Sequence, residues 1–256
     1  MMPDVKLGKL APVFDRRTLR ASSIMKSVTL PDRYSVDGTL PAGAVPTPMF
    51  ANDVNGCCVI SARAHHTLRL MLQHGALPQI TDEDVVRQYY LETGGEDAGL
   101  VMLHSLKSWR SDGWLAAGVQ DRIAAFTSIR PKVIDEIKTA IYTMDGVHFG
   151  IELPLKASEQ FDTGEPWENV DVPGKPWYSQ PGGWGGHAIL AYAWEPGWFE
   201  CITWGKRQRM SYEWIERYAS EAYAVIDSAE VPERAEQRRG INMVAVGEYL
   251  ERVGGL

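Results

Sequence analysis

Asn52-Asp53-Val54-Asn55-Gly56-Cys57-Cys58 places a thiol where a turn runs into a helix, and far downstream Gly185-Gly186-His187-Ala188-Ile189-Leu190 places an imidazole at the head of an apolar strand. After Cys58, the residues Ile60, Ala64, Thr67 with Leu68, and Met71 with Leu72 recur on one helical face, and Gly75 is a stop signal. The spacing therefore predicts a helix over 58–74 with Cys58 in its first turn. A cysteine is a strong nucleophile only as thiolate, and a helix N-terminus and a neighbouring imidazolium both favour that form. Cys58 as nucleophile and His187 as proton acceptor and donor would suit acyl transfer. The tetrahedral intermediate needs N–H donors at its oxyanion, and Asn52, six residues before Cys58, supplies a side-chain amide. For Cys57 the same offset falls on Ala51, which has no such donor, so Cys58 is preferred. Taken alone, each cysteine reads as a packed thiol, because free cysteine is among the most buried residue types.

Further along, Thr81-Asp82-Glu83-Asp84 resembles a capping box opening a second helix, and Leu100, Leu103 and Leu106 mark a third that ends near Asp112-Gly113. Pro131 suits the first turn of a fourth helix with Val133, Ile134, Ile137 and Ile141 on its apolar face. After Asp145-Gly146 the period changes to two, with Val147, Phe149, Ile151 and Leu153 alternating against His148, Gly150 and Glu152. Residues 156–186 read as a long irregular loop. Ala188 to Trp194 and Trp198 to Trp204 read as a hairpin with His187 at its start. Ser211 caps a short helix, Ala222 to Ile226 is a last strand, and a weak helix is expected near Val244 to Val253.

At 256 residues and 45% hydrophobic, the chain can bury one core or a divided one. A formal charge of −7, with basic clusters only at Lys206 to Arg209 and Arg234 to Arg239, argues against nucleic acid as a partner. No apolar run resembles a signal-peptide core or a membrane span, so neither export nor a membrane partner is expected. Three cysteines, two of them adjacent, do not make a disulfide framework, which suits a reducing compartment.

Several residues carry plainer readings. His65, His66, His74 and His104 lack zinc spacing and read as solvated or helix-packing side chains, so no metal and no cofactor is expected. Asp53 reads as a turn-stabilising carboxylate. Of Trp177, Trp184, Trp194, Trp198 and Trp204, only Trp184 and Trp204 are placed near the site, the others in the core. Gly182-Gly183 and Gly185-Gly186 precede a strand instead of opening a helix, so they suit close backbone approach beside His187 better than phosphate binding.

The order of Asn52, Cys58, Gly99 and His187, with Thr203-Trp204-Gly205 after the hairpin, resembles the papain-like cysteine peptidase superfamily. With Ala62, His65, Glu221-Ala222-Tyr223-Ala224-Val225 and the arm segments Leu7-Gly8-Lys9 and Asp15-Arg16-Arg17-Thr18, it is similar to papain-like proteins of bacteriophages and actinobacterial prophages. The resemblance implies an α+β papain-like fold: a helical lobe bearing Cys58, an antiparallel β lobe bearing His187, and a substrate cleft between them. It implies an extended arm over 1–44, a papain-like domain over 45–228 divided near 125, and a tail over 229–256. Asp97-Ala98-Gly99 matches the place where a glycine backbone lies beside an extended substrate, Gly186 and Trp184 would flank it, and Trp204 matches the tryptophan shielding the histidine. Such peptidases carry an asparagine about sixteen residues after the histidine to hold its tautomer; here the neighbourhood is Cys201-Ile202-Thr203, so the orienter is absent or is the Thr203 hydroxyl. Asn52 stands in place of the usual glutamine.

The function implied is a cysteine peptidase or thiol acyl hydrolase acting on a peptide or isopeptide bond, with phage structural proteins as further partners. The alternatives are a catalytically degenerate binding or virion component and a peptidoglycan endopeptidase. The setting implied is the host cytoplasm or the virion. The arm is shorter than the helical inhibitory prosegments of secreted relatives, so control of that type is not expected.

Overall fold

The structure, a computed structural model, describes residues 4–40, 45–76, 79–227 and 240–253. The basic stretch Arg234 to Arg239 and the start of the tail at Glu230 lie outside the described residues. Helix α1 (Cys58–Gln73) begins with Cys57 as its N-cap residue. Helix α2 (Asp82–Thr93) opens on a complete capping box, in which the Thr81 hydroxyl accepts from the Asp84 amide while the Asp84 carboxylate accepts from the Thr81 amide. Helix α3 (Met102–Ser111) follows. These pack with Phe50, Trp109 and Trp114 into one core cluster, completed from the sheet by Phe126, Ala188, Tyr223 and Val225.

Strands β4 (Ile123–Ser128), β5 (Val147–Leu153), β6 (Gly185–Glu195), β7 (Trp198–Thr203), β8 (Lys206–Ser211) and β9 (Ala219–Asp227) form an antiparallel sheet in the order β4-β9-β5-β6-β7-β8. The short strand β1 (Tyr34–Ser35) of the arm pairs with β6, and β2 (Trp114–Ala116) with β3 (Val119–Asp121) makes a separate hairpin. A second cluster, with Phe149, Ile189, Ile202 and Trp214 at its heart, is covered by α4 (Ile134–Met144), α5 (Leu155–Thr163), α6 (Tyr212–Tyr218) and α7 (Met243–Arg252). Among the described residues no helix is long and apolar enough to cross a membrane.

Four local expectations change. Helix α1 is buried on all sides from Cys58 to Leu70, not along one face, and its charged members are paired: Arg63 with Glu92 at 2.7 Å and Arg69 with Asp37 at 2.8 Å. Pro131 lies in the turn before α4, whose first residue is Ile134. The irregular loop contains α5, because Ala157 and Phe161, one turn apart, both bury against the core. His148, read as part of the polar face of β5, is buried and hydrogen-bonded to His66 at 2.9 Å.

Candidate active site

Cys58 is the first residue of α1, and the turn leading to it is tightly wound, with Phe50 and Ala51 both at positive φ. The Gly56 N–H in that turn donates to the Asp97 carboxylate at 2.9 Å, and the Tyr89 hydroxyl donates to the same carboxylate oxygen at 2.6 Å. The carboxylate that pins the turn is thus Asp97, through its bond to the Gly56 N–H, and not Asp53, which was expected in this role and is solvent-exposed. Tyr89 also accepts from the Gly99 amide, which ties the cysteine turn to the glycine strip across the cleft. Cys57 turns inward, where its sulfur meets the Phe50 carbonyl and the Ser61 hydroxyl, each at 3.4 Å. Burial pushes its thiol up to about 12.

His187 lies on β6, fully buried, between two contacts. Its Nε2 is 2.6 Å from the Thr203 hydroxyl on β7, and its ring stacks on Trp204 at 3.9 Å between centroids. Trp204 reaches this stack with φ of +44°, a left-handed backbone that a residue with a side chain rarely adopts. Trp184 packs behind it at 5.2 Å. Trp177 is half exposed, while Trp194 and Trp198 lie on the β6–β7 hairpin.

Helix α1 packs against β6, and the backbone amide of Ala188, the residue after His187, reaches the Cys58 sulfur. The two groups are thus brought to one place, but no hydrogen bond joins them: the buried Nδ1 of His187 has no hydrogen-bond partner. Burial raises the Cys58 thiol to about 11 and lowers His187 to about 3, so at neutral pH both are uncharged.

The arm contributes to that burial. Residues Lys6 to Leu10 run through the cleft, held by backbone hydrogen bonds. The Lys9 amide donates to Gly186 O, the Leu10 amide to Leu100 O, and the Leu100 amide to Gly8 O. The Gly8 amide reaches the Cys58 sulfur. The Lys6 carbonyl accepts from Asn52 Nδ2 at 3.3 Å and from Trp204 Nε1 at 3.0 Å. Contact is close enough that a Cβ on Gly8 would lie 1.7 Å from Gly56 O, one on Gly99 2.4 Å from Gly8 O, and one on Gly186 2.3 Å from Lys9 O. Asn52, Cys58, Gly99, Gly186, His187 and Trp204 therefore all line or face one groove that holds an extended peptide.

Sequence reasoning missed the hold of Asp97 and Tyr89 on the cysteine turn and the arm's seat in the groove. Leu7-Gly8-Lys9 was visible as a motif, but nothing in its composition says where an extended segment docks. Among the described residues no cluster of three or more His, Cys, Asp or Glu side chains could hold a metal.

No protein-family description matches the chain, and no curated protein does. Among solved structures it is similar to xylellain, a cysteine protease from Xylella fastidiosa, with a TM-score of 0.65 at 14% identity over 90% of this chain and 98% of that one. The fold is papain-like. A Carica candamarcensis cysteine protease (TM-score 0.53, 10% identity, 78% of this chain and 100% of that one) shares it. So does procathepsin B from Trypanosoma congolense (TM-score 0.53, 13% identity, 88% of each chain). At these identities the likeness carries the architecture alone.

Proposed function

We propose that the protein is a cysteine peptidase of the papain type whose groove is covered by its own arm. The observation that carries this reading is the convergence, in one peptide-holding groove, of Cys58 at a helix start, His187 backed by Thr203 and Trp204, and the Asn52 amide directed at a carbonyl oxygen. With the arm displaced and a substrate bound, the Cys58 thiol gives its proton to His187 Nδ1 and its sulfur attacks the scissile carbonyl carbon. Asn52 Nδ2 and the Cys58 N–H hold the oxyanion, and the imidazolium returns its proton to the leaving amine. Water, deprotonated by His187, then releases the acyl group and restores the thiol.

The test is cleavage of a peptide library by full-length Lys9→Ala, which weakens the arm, with Cys58→Ala and His187→Ala made in the same background. Turnover that disappears in both is the expected result, and turnover equal in all three discards the reading. A second reading, a non-catalytic peptide-binding protein, is favoured by Thr203: an asparagine carbonyl can only accept and fixes one imidazole tautomer, whereas a hydroxyl donates or accepts. Failure of Cys58 to react with a peptidyl epoxide in the Lys9→Ala protein would favour that second reading. The motif resemblance supports a phage or prophage source, with the host cytoplasm or the virion as the setting and a phage protein as substrate or partner. Mass spectrometry of purified virions from a lysogen encoding the chain tests that placement.

A further inference from the structure

Of residues 4–10, Lys9 alone is buried; Lys6, three positions earlier, is exposed. The Lys9 side chain leaves the groove through a gap in the sheet surface and ends between two carboxylates. Its Nζ lies 2.8 Å from Glu152 Oε1 on β5 and 3.5 Å from Glu221 Oε1 on β9. The Lys9 side chain is 0% exposed and that of Glu221 is 1% exposed. The gap exists because position 150 is glycine: a Cβ there would meet Lys9 Cε at 2.4 Å and Glu221 Cγ at 2.6 Å. Ser220 donates to Glu152 at 3.2 Å and fixes that carboxylate against the pocket wall. Every backbone hydrogen bond holding this segment is blind to sequence, so a side chain entering the pocket is what carries selectivity. Burying carboxylates is costly unless a cation accompanies them, and an apolar side chain would leave Glu221 desolvated with no counter-charge.

We propose that Glu152, Glu221 and Gly150 form a subsite for a basic side chain, occupied by Lys9 while the arm lies in the groove and by a lysine or arginine of a bound peptide when the arm is displaced. This rests on the groove being a peptide site, but not on the peptide being cleaved. Arginine has five N–H donors and can reach both carboxylates at once, whereas Lys9 sits close to one and farther from the other.

The experiment uses the full chain carrying Cys58→Ala, which cannot turn over, together with Lys9→Ala, which empties the pocket. Fluorescein-labelled peptides copying residues 4–13 are offered, with lysine, arginine, norleucine or glutamate at the place of Lys9, and binding is read by anisotropy. The lysine and arginine peptides are expected to bind at least about tenfold more tightly than the norleucine peptide, with the glutamate peptide weakest. Adding Glu221→Gln and Glu152→Gln is expected to abolish the preference while norleucine binding persists, which also shows that the variant is folded. Equal binding of lysine and norleucine peptides, binding of none, or a preference that survives both glutamine substitutions overturns the proposal. Selective binding by this protein, with no library turnover by its Cys58-containing parent, would instead overturn the peptidase reading and leave the subsite standing.

Discussion

Thr203 is the residue on which the imidazole depends. Its hydroxyl is the hydrogen-bond partner of His187, at 2.6 Å, while the buried Nδ1 on the other side of the ring has no hydrogen-bond partner. Thr203→Val removes that bond. A hydrogen bond to a charged partner is worth about 1.5–3 kcal/mol, so once the arm is loosened, His187-dependent alkylation of Cys58 should slow by roughly ten- to a hundredfold. Thr203→Asn should keep or exceed the parent rate, since an amide carbonyl accepts from Nε2–H. Iodoacetamide labelling read by mass spectrometry checks both. That Cys58, His187 and Asn52 would meet at one groove was legible because each sits at a marked place: a helix start, a strand start, and a fixed offset from the thiol. Glu152 and Glu221 were not, because alternation along a strand says which side a carboxylate faces but not that a distant lysine will meet it. Asp97 escaped for the same reason, since a carboxylate that binds a backbone N–H leaves no pattern in the chain.

Among the elements, the arm segment around Gly8 is the one whose removal should change behaviour most. A Cβ at Gly8 would sit 1.7 Å from the Gly56 carbonyl oxygen, a backbone atom that cannot step aside. Gly8→Val should therefore expel residues 5–10 from the groove. Cys58 labelling, which in the wild type should climb only as pH approaches the thiol's value of about 11, should become faster and shift its rise to lower pH. Unchanged labelling would mean that the segment does not shield the sulfur. Thr81→Ala is the matched control: loss of the capping box on α2 should cost about 1 kcal/mol in urea denaturation, with Cys58 labelling unaltered. Elements with caps or long single-period faces, α1, α2 and β5, could be located from sequence. The strands β4 and β8 were not read, because each is short and its partners, β9 and β7, are supplied by other parts of the chain.

For the molecule as a whole, three of the four buried histidines, His65, His148 and His187, contribute to the acid side of stability. Desolvation holds His65 well below its usual value and His148 and His187 near 3, so the native state leaves all three unprotonated while the unfolded chain protonates them near 6.5. Where the unfolded state binds more protons, stability falls as pH falls. Between pH 6.5 and about 3, unfolding should take up nearly three protons from these groups, opposed in part by Glu221, whose carboxyl is raised by burial. The urea midpoint should drop steeply from pH 7 to pH 5, and His148→Gln should flatten that slope by about one proton. The papain-like architecture was legible from the order of motifs, but the sheet order was not, since β9 inserts between β4 and β5. That insertion ties synthesis to assembly. Tyr223 and Val225 of β9 also complete the core cluster of the helical region, so a nascent chain still lacking Ala219–Asp227 has neither a continuous sheet nor a finished helical core. Cys58, made early, would therefore lack its folded surroundings, including the sheet that carries His187, until synthesis has passed Asp227.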